Sequence, residues 1–175
     1  LAGKQTGKSC RREAGFTLLE LMVVVFIIAL AAGIVLPRLP DTEGTRLKSS
    51  ARNLASGIRF LNDQAIITKK VYRLHLELGE NTTHIAELSP TGEEMQPQDQ
   101  FMGRRLVEEG IDIEDVSVGS RGVVNEGEVV IPFGPAGLGD GVTIHLKAGK
   151  VHFTVIAYPS GGKVTVQEGY QEVTS

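Results

Sequence analysis

Cysteine is nearly absent from this chain: of 175 residues only Cys10 carries a thiol, and it lies within the first fifteen. One thiol cannot make an intrachain disulfide, and zinc modules built on several cysteines are excluded. Tryptophan is missing and aromatic residues make up 5% of the chain, so a core here must rest on aliphatic side chains. Catalytic signatures are also missing. There is no Cys-His pair, no Gly-x-Ser-x-Gly and no His-Glu-x-x-His, and the carboxylates lack a convincing base or metal partner. The sequence therefore reads as a non-enzyme with no cofactor and no metal site. Positive charge is scarce in the C-terminal part: beyond residue 70, seven bases stand against sixteen acids, a net of −9. Nucleic-acid binding relies on Lys and Arg neutralising phosphates, so no nucleic-acid partner is expected.

What is present begins with a charge pattern. Lys4, Lys8, Arg11 and Arg12 face one acid, Glu13, in a leader that ends at Gly15. From Leu21 to Leu36 no residue is charged, and together with Phe16 to Leu19 the stretch would span about 30 Å as a helix. Glu20 interrupts it. An ionisable group at membrane depth costs roughly 2.5–3.5 kcal/mol on insertion scales and usually has a partner. Three readings of this region compete: a secretory signal peptide ending near Ala29-Leu30-Ala31, a plain anchor, and a leader cut at Gly15 that leaves the apolar run in place. The run is longer than an ordinary signal-peptide core and contains Glu20, which argues against the first. Glu20 could also simply snorkel to the interface. Arg38, Arg46, Lys48 and Arg52 balance the leader bases, so charge alone does not orient the segment.

Downstream, Pro37, Pro40 and Gly44 predict a break or kink. Leu47, Ala51, Leu54, Ile58, Leu61 and Ala65 then recur at steps of four and three, one apolar stripe along a helix of about five turns, with Arg46, Lys48, Arg52 and Arg59 off it. From Val71 the period becomes two. Tyr72, Leu74, Leu76 and Leu78 alternate with Arg73, His75 and Glu77, and a turn over Gly79 to Thr82 leads to a strand near His84 to Leu88. Residues 89–110 read as a mobile or partner-contacting loop with Phe101, Met102 and Leu106 as anchors. Further strands are predicted at Ile111 to Val118, Glu128 to Phe133 and Lys163 to Gln167.

A hairpin of Val142 to Leu146 and Lys150 to Ile156, turning at Ala148-Gly149, would oppose Ile144 to Phe153, Leu146 to Val151 and His145 to His152. The two histidines read as an exposed pair, too few ligands for zinc. Asp112, Glu114 and Asp115 lack the order of an EF-hand loop and read as a solvated acidic edge. The glycine-rich stretch Phe133-Gly134-Pro135-Ala136-Gly137, with Gly139 and Gly141, lacks the Lys-Ser/Thr end of a P-loop and reads as a turn.

Gly15-Phe16-Thr17-Leu18-Leu19-Glu20, behind a basic leader and ahead of the apolar run, resembles the class III leader of type IV pilins and type II secretion pseudopilins; Gly33 and Pro37 match places where that family's stem often has Gly and Pro. The glycine-rich stretch resembles the one that opens the last hairpins of H-type minor pseudopilins and of their type IV pilus relatives. No acidic cluster near the C-terminus matches the calcium loop of major pseudopilins, which favours a minor subunit.

The resemblance implies an α+β, pilin-like fold: a long N-terminal α-helix, half transmembrane and half amphipathic, packed on an antiparallel β-sheet head. It divides the chain into a cleaved leader (1–15), a transmembrane half-stem (16–37), a periplasmic half-stem (38–70) and a β-rich head (71–175). A prepilin peptidase would cut between Gly15 and Phe16 and N-methylate Phe16. Glu20 would meet the α-amino group of a neighbour's Phe16; opposite charges at about 4 Å attract by ~4 kcal/mol at an effective dielectric of 20. The implied partners are major and minor pseudopilins, the prepilin peptidase, an inner-membrane assembly platform and secreted cargo. The implied place is the bacterial inner membrane, single-pass, with the head in the periplasm. The alternative within the resemblance is a type IV pilus or competence minor pilin, which a basic head would have favoured.

Overall fold

The computed structural model describes residues 17–35, 42–119, 121–159 and 161–172. The chain divides into two compact units, residues 1–40 and 41–175. In the first, α1 (Leu18–Val35) starts where Thr17 caps it: Thr17 Oγ1 accepts the Glu20 N–H at 3.2 Å, and the Thr17 carbonyl accepts the Leu21 N–H at 3.1 Å. Thr17-Leu18-Leu19-Glu20 thus has the sequence of a capping box, and the described structure forms the half of it made by the Thr17 hydroxyl. The expected break at Pro37 and Pro40 lies outside the described residues.

In the second unit α2 (Thr42–Thr68) buries the whole stripe, Leu47, Ala51, Leu54, Ile58, Leu61 and Ala65, each at most 2% exposed. A fully buried leucine or isoleucine contributes about 1.5–3 kcal/mol, so the stripe is a main source of the unit's stability. The helix ends at Lys69, which takes a positive φ of 57°, while Thr68 Oγ1 donates back to the Gln64 carbonyl at 2.6 Å.

The strands form two five-stranded antiparallel sheets rather than one. The first has the order β3 (Glu94–Met95), β2 (Thr82–Leu88), β1 (Val71–Glu77), β6 (Glu128–Gly134), β7 (Gly137–Leu138). The second has the order β10 (Val164–Glu168), β9 (Val151–Ala157), β8 (Val142–Ala148), β4 (Asp112–Val118), β5 (Val123–Val124). Helix α2 contacts both, chiefly β9 and β10 on one side and β6, β7 and β1 on the other. Asn81, in the β1–β2 turn at φ 53°, ties the sheets together: its Oδ1 accepts the Ile113 N–H at 2.8 Å and its Nδ2 donates to Asp112 at 3.0 Å.

Residues 89–110 are pinned rather than loose. Met102, Leu106 and Val107 are buried, and Phe101 meets Phe60 of α2 with ring centroids 4.6 Å apart. Ser50 Oγ accepts the Glu108 N–H at 3.0 Å, and Arg46 donates to the Glu109 carbonyl at 2.6 Å. The anchors expected from the sequence do hold: Phe101 on α2, and Met102 and Leu106 in the core.

The β8–β9 register also differs from expectation. Ala148 pairs with Val151, so the turn is Gly149-Lys150, and Ile144 opposes Val155, Leu146 opposes Phe153 and His145 opposes Thr154. Glycine decides this: a two-residue turn with a positive φ at its first position wants Gly there, and Gly149 sits at φ 56°. The shift is two residues, so each side chain keeps its face while its partner changes.

Candidate functional site

Of the residues expected to act, Gly15 and Phe16 lie outside the described residues, and Glu20 lies in the first turn of α1. The helix behind it is apolar on every side: Leu18, Leu19, Ile27 and Ile28, which fall about 0°, 100°, 180° and 280° around the axis, are 57–84% exposed. Phe26 is just as open, at 63%. A helix apolar all round is built to be surrounded by other helices or lipid. Among the described residues no helix is long and apolar enough to cross a membrane. The side chains of α1 are described only from Leu18 to Ala32, and the span expected over 16–37 extends past them at both ends. Among the described residues the Glu20 carboxylate has no partner, whereas its backbone N–H is taken by Thr17. Among the described residues, the first turn of α1 therefore carries a carboxylate on an otherwise uncharged helix.

Among the described residues of the second unit, three polar clusters stand out, built on histidine and carboxylate pairs. In the first, His145 is 4% exposed, not solvated as expected. Its Nδ1 meets Asp115 Oδ1 at 2.7 Å and its Nε2 donates to the Gln171 carbonyl at 3.1 Å. Tyr170 stacks on that imidazole at 3.8 Å between centroids and donates its hydroxyl to Asp115 Oδ2 at 3.0 Å. The Tyr170 phenol is pushed above its ordinary range, by desolvation first and then by the hydrogen bond and charge of Asp115. The second cluster joins His152 to Glu114 at 2.9 Å, with Lys147 at 3.8 Å from the same carboxylate. His145 and His152 thus serve different carboxylates.

The expected solvated acidic edge is corrected by the same geometry. A register shift between Ile113 and Asp115 makes Glu114 an extra residue in β4, and such a bulge re-aims neighbouring side chains. Asp115 turns inward to 5% exposure, and only Asp112 remains in solvent. Strict alternation could not have shown this.

The third cluster lies on β1, β2 and β6. His75, expected on an exposed face, is 6% exposed and bonded through Nδ1 to Glu128, while its ring stacks on His84 at 4.2 Å. Donor atoms of His75, His84 and Glu128 come within 4.8 Å of one another. The signal for it was in the hairpin: once β1 and β2 pair around the Gly79 to Thr82 turn, His75 falls opposite His84.

The glycine-rich stretch is a turn, as expected, and Gly137 (φ 91°) sits against Asn62 of α2.

Comparison with known proteins places these features. The model of the prokaryotic N-terminal methylation motif matches residues 10–36. The chain is 31% identical over 134 residues to type II secretion system core protein G of Dickeya chrysanthemi, covering 74% of this chain and 82% of that protein. It is 40% identical over 68 residues to type II secretion system protein H of Pseudomonas aeruginosa, 38% of this chain and 40% of that protein. The crystal structure of the minor pseudopilin EpsH of Vibrio cholerae superposes with a TM-score of 0.57 at 16% identity, over 74% of this chain and 99% of that one. A second structure of EpsH gives 0.51 at 14% identity, over 70% and 97%. The α+β pilin-like fold is shared.

Proposed function

This chain belongs to the pseudopilins of the type II secretion system, and from that premise we propose that it is an H-like minor subunit with a structural rather than a catalytic role, whose parts act as follows. Residues 1–15 are a leader removed between Gly15 and Phe16, and Phe16 becomes the N-methylated first residue. Residues 16–37 anchor the subunit in the inner membrane, residues 38–70 form the periplasmic half-stem and residues 71–175 the head. The subunit joins other pseudopilins on an inner-membrane assembly platform, in a short periplasmic filament that pushes folded exoproteins outward. Its acidic head faces neighbours or cargo.

One observation carries the assembly reading: among the described residues the Glu20 carboxylate, on the first turn of an apolar helix, has no partner, while its own N–H is satisfied by Thr17. In an apolar helix bundle that charge needs a cation, and the α-amino group of a neighbouring subunit's Phe16 supplies one at a fixed axial offset. Glu20→Ala tests this. The variant inserts into the inner membrane at the wild-type level and is absent from pseudopili isolated from the same cells. Normal incorporation would sink the assembly role. Mass spectrometry of the mature chain separately checks for an N-methylated Phe16 terminus.

A further inference from the structure

The face of β1 opposite Leu74 and Leu76 carries a group of side chains for which filament assembly has no use. His75 on β1 and His84 on β2 are direct cross-strand partners, stacked 13° from parallel. Glu128, at the start of β6, reaches His75 Nδ1. Glu94, on β3, divides its carboxylate: Oε1 takes the Arg73 guanidinium at 2.8 Å, and Oε2 stands 3.5 Å from His75 Nε2. That Nε2 is buried and makes no hydrogen bond.

The protonation chemistry is constrained. A carboxylate can only accept, so Nδ1 must hold a proton to bond Glu128, and a metal ion seated between the two would take that proton's place. The other ring nitrogen, Nε2, is shielded from water and stands 3.5 Å from the Glu94 carboxylate. Glu128 is moreover directly opposite Glu77 across the β1–β6 ladder, and facing like charges are unfavourable. Every one of these features asks for a cation held by nitrogen and oxygen together.

The geometry points to a binding site for a divalent late first-row transition metal ion, zinc above all, built from His75 through Nδ1, His84 and Glu128, with Glu94 beside the second nitrogen of His75. Donors from the first three already lie within 4.8 Å of one another. Imidazole with carboxylate suits zinc, whereas calcium and magnesium favour all-oxygen shells. A carboxylate beside the second nitrogen of a ligating histidine holds its tautomer and ring orientation, and Glu94 occupies that place at His75. Three adjacent paired strands position the set, so little rearrangement is needed on binding. The ion would clamp β2, β1 and β6 where Glu77 and Glu128 repel.

The test uses the full chain without an affinity tag, in detergent micelles, with Cys10→Ser removing the leader thiol. Calorimetric titration with zinc chloride at neutral pH is expected to give one ion per chain. Cobalt(II) in its place should give the visible absorption of a tetrahedral site. His84 is exposed, so His84→Ala should fold normally and weaken zinc binding at least about tenfold. Glu128→Gln, which keeps shape and hydrogen bonding, should do the same and serves if the alanine variant is unstable. His152→Ala, at the separate Glu114 cluster, should bind as the parent does. The absence of saturable zinc binding, or undiminished binding by both His84→Ala and Glu128→Gln, overturns the assignment.

Discussion

Asn62 and Gly137 are locked together. The Asn62 side-chain oxygen accepts the Leu138 N–H at 3.0 Å, and a Cβ at position 137 would stand 2.6 Å from that same oxygen. The glycine lets the β6–β7 turn come close enough for α2 to satisfy a buried backbone donor. Asn62→Ala leaves that donor unpaired and should cost about 1–3 kcal/mol. Gly137→Ala adds backbone strain at φ 91° and should cost a similar 1–3 kcal/mol. The two changes should be less than additive in urea unfolding, because removing Asn62 also removes the clash; full additivity would count against the contact.

A second close approach joins α2 to the long segment before β4. A Cβ on Gly57 would lie 2.7 Å from Leu106 Cδ1, and Leu106 is 4% exposed. In the wild-type background Gly57→Ala should therefore destabilise: overpacking costs roughly 1–3 kcal/mol and outweighs a helix gain of roughly 0.5–1. Leu106→Ala alone should cost about 2–5 kcal/mol. On that background Gly57→Ala should turn stabilising, since the clash is gone and only the helix gain remains. Denaturant midpoints of the four proteins decide it, and an unchanged sign would refute the packing argument.

Asp115 is the hub of the C-terminal segment, serving His145 and Tyr170 at once. Asp115→Ala strands a buried partner and should cost roughly 3–5 kcal/mol, while Asp115→Asn, which retains an acceptor, should cost less. Tyr170 supplies the pH signature. Its phenol is raised above the usual value of about 10 by desolvation and by Asp115. The sign follows from linkage: stability from this group is fully present below about pH 10 and is lost as pH rises through the folded value. Absorbance titration of tyrosinate, referenced to Tyr170→Phe, should show Tyr170 ionising late in the wild type and earlier in Asp115→Asn.

The pattern of legibility follows from what each feature depends on. The α2 stripe could be read because helical period and burial coincide along one element, and all six stripe residues are buried. The alternation of β1 identified Leu74 and Leu76 as core for the same reason. His75 was misplaced because its burial comes from neighbours on β2, β3 and β6, none of which its own strand reveals. The hairpin pairing slipped by two residues because both candidate turns contain Gly149, and only the demand for a positive φ at the first turn position separates them.

The amino-terminal motif needs no fold to be recognised. Gly15, Glu20 and the uncharged run lie on one short stretch of chain, so their charge and apolar length can be read directly from it. The head is different. Whether a histidine is solvated or buried, whether an acid faces water or an imidazole, and which glycine must stay bare depend on groups 9 to 76 positions away in the chain. Those distances close only when two sheets and a helix pack. Burial and hydrogen-bond pairing are therefore set by neighbours in space, which no local period encodes.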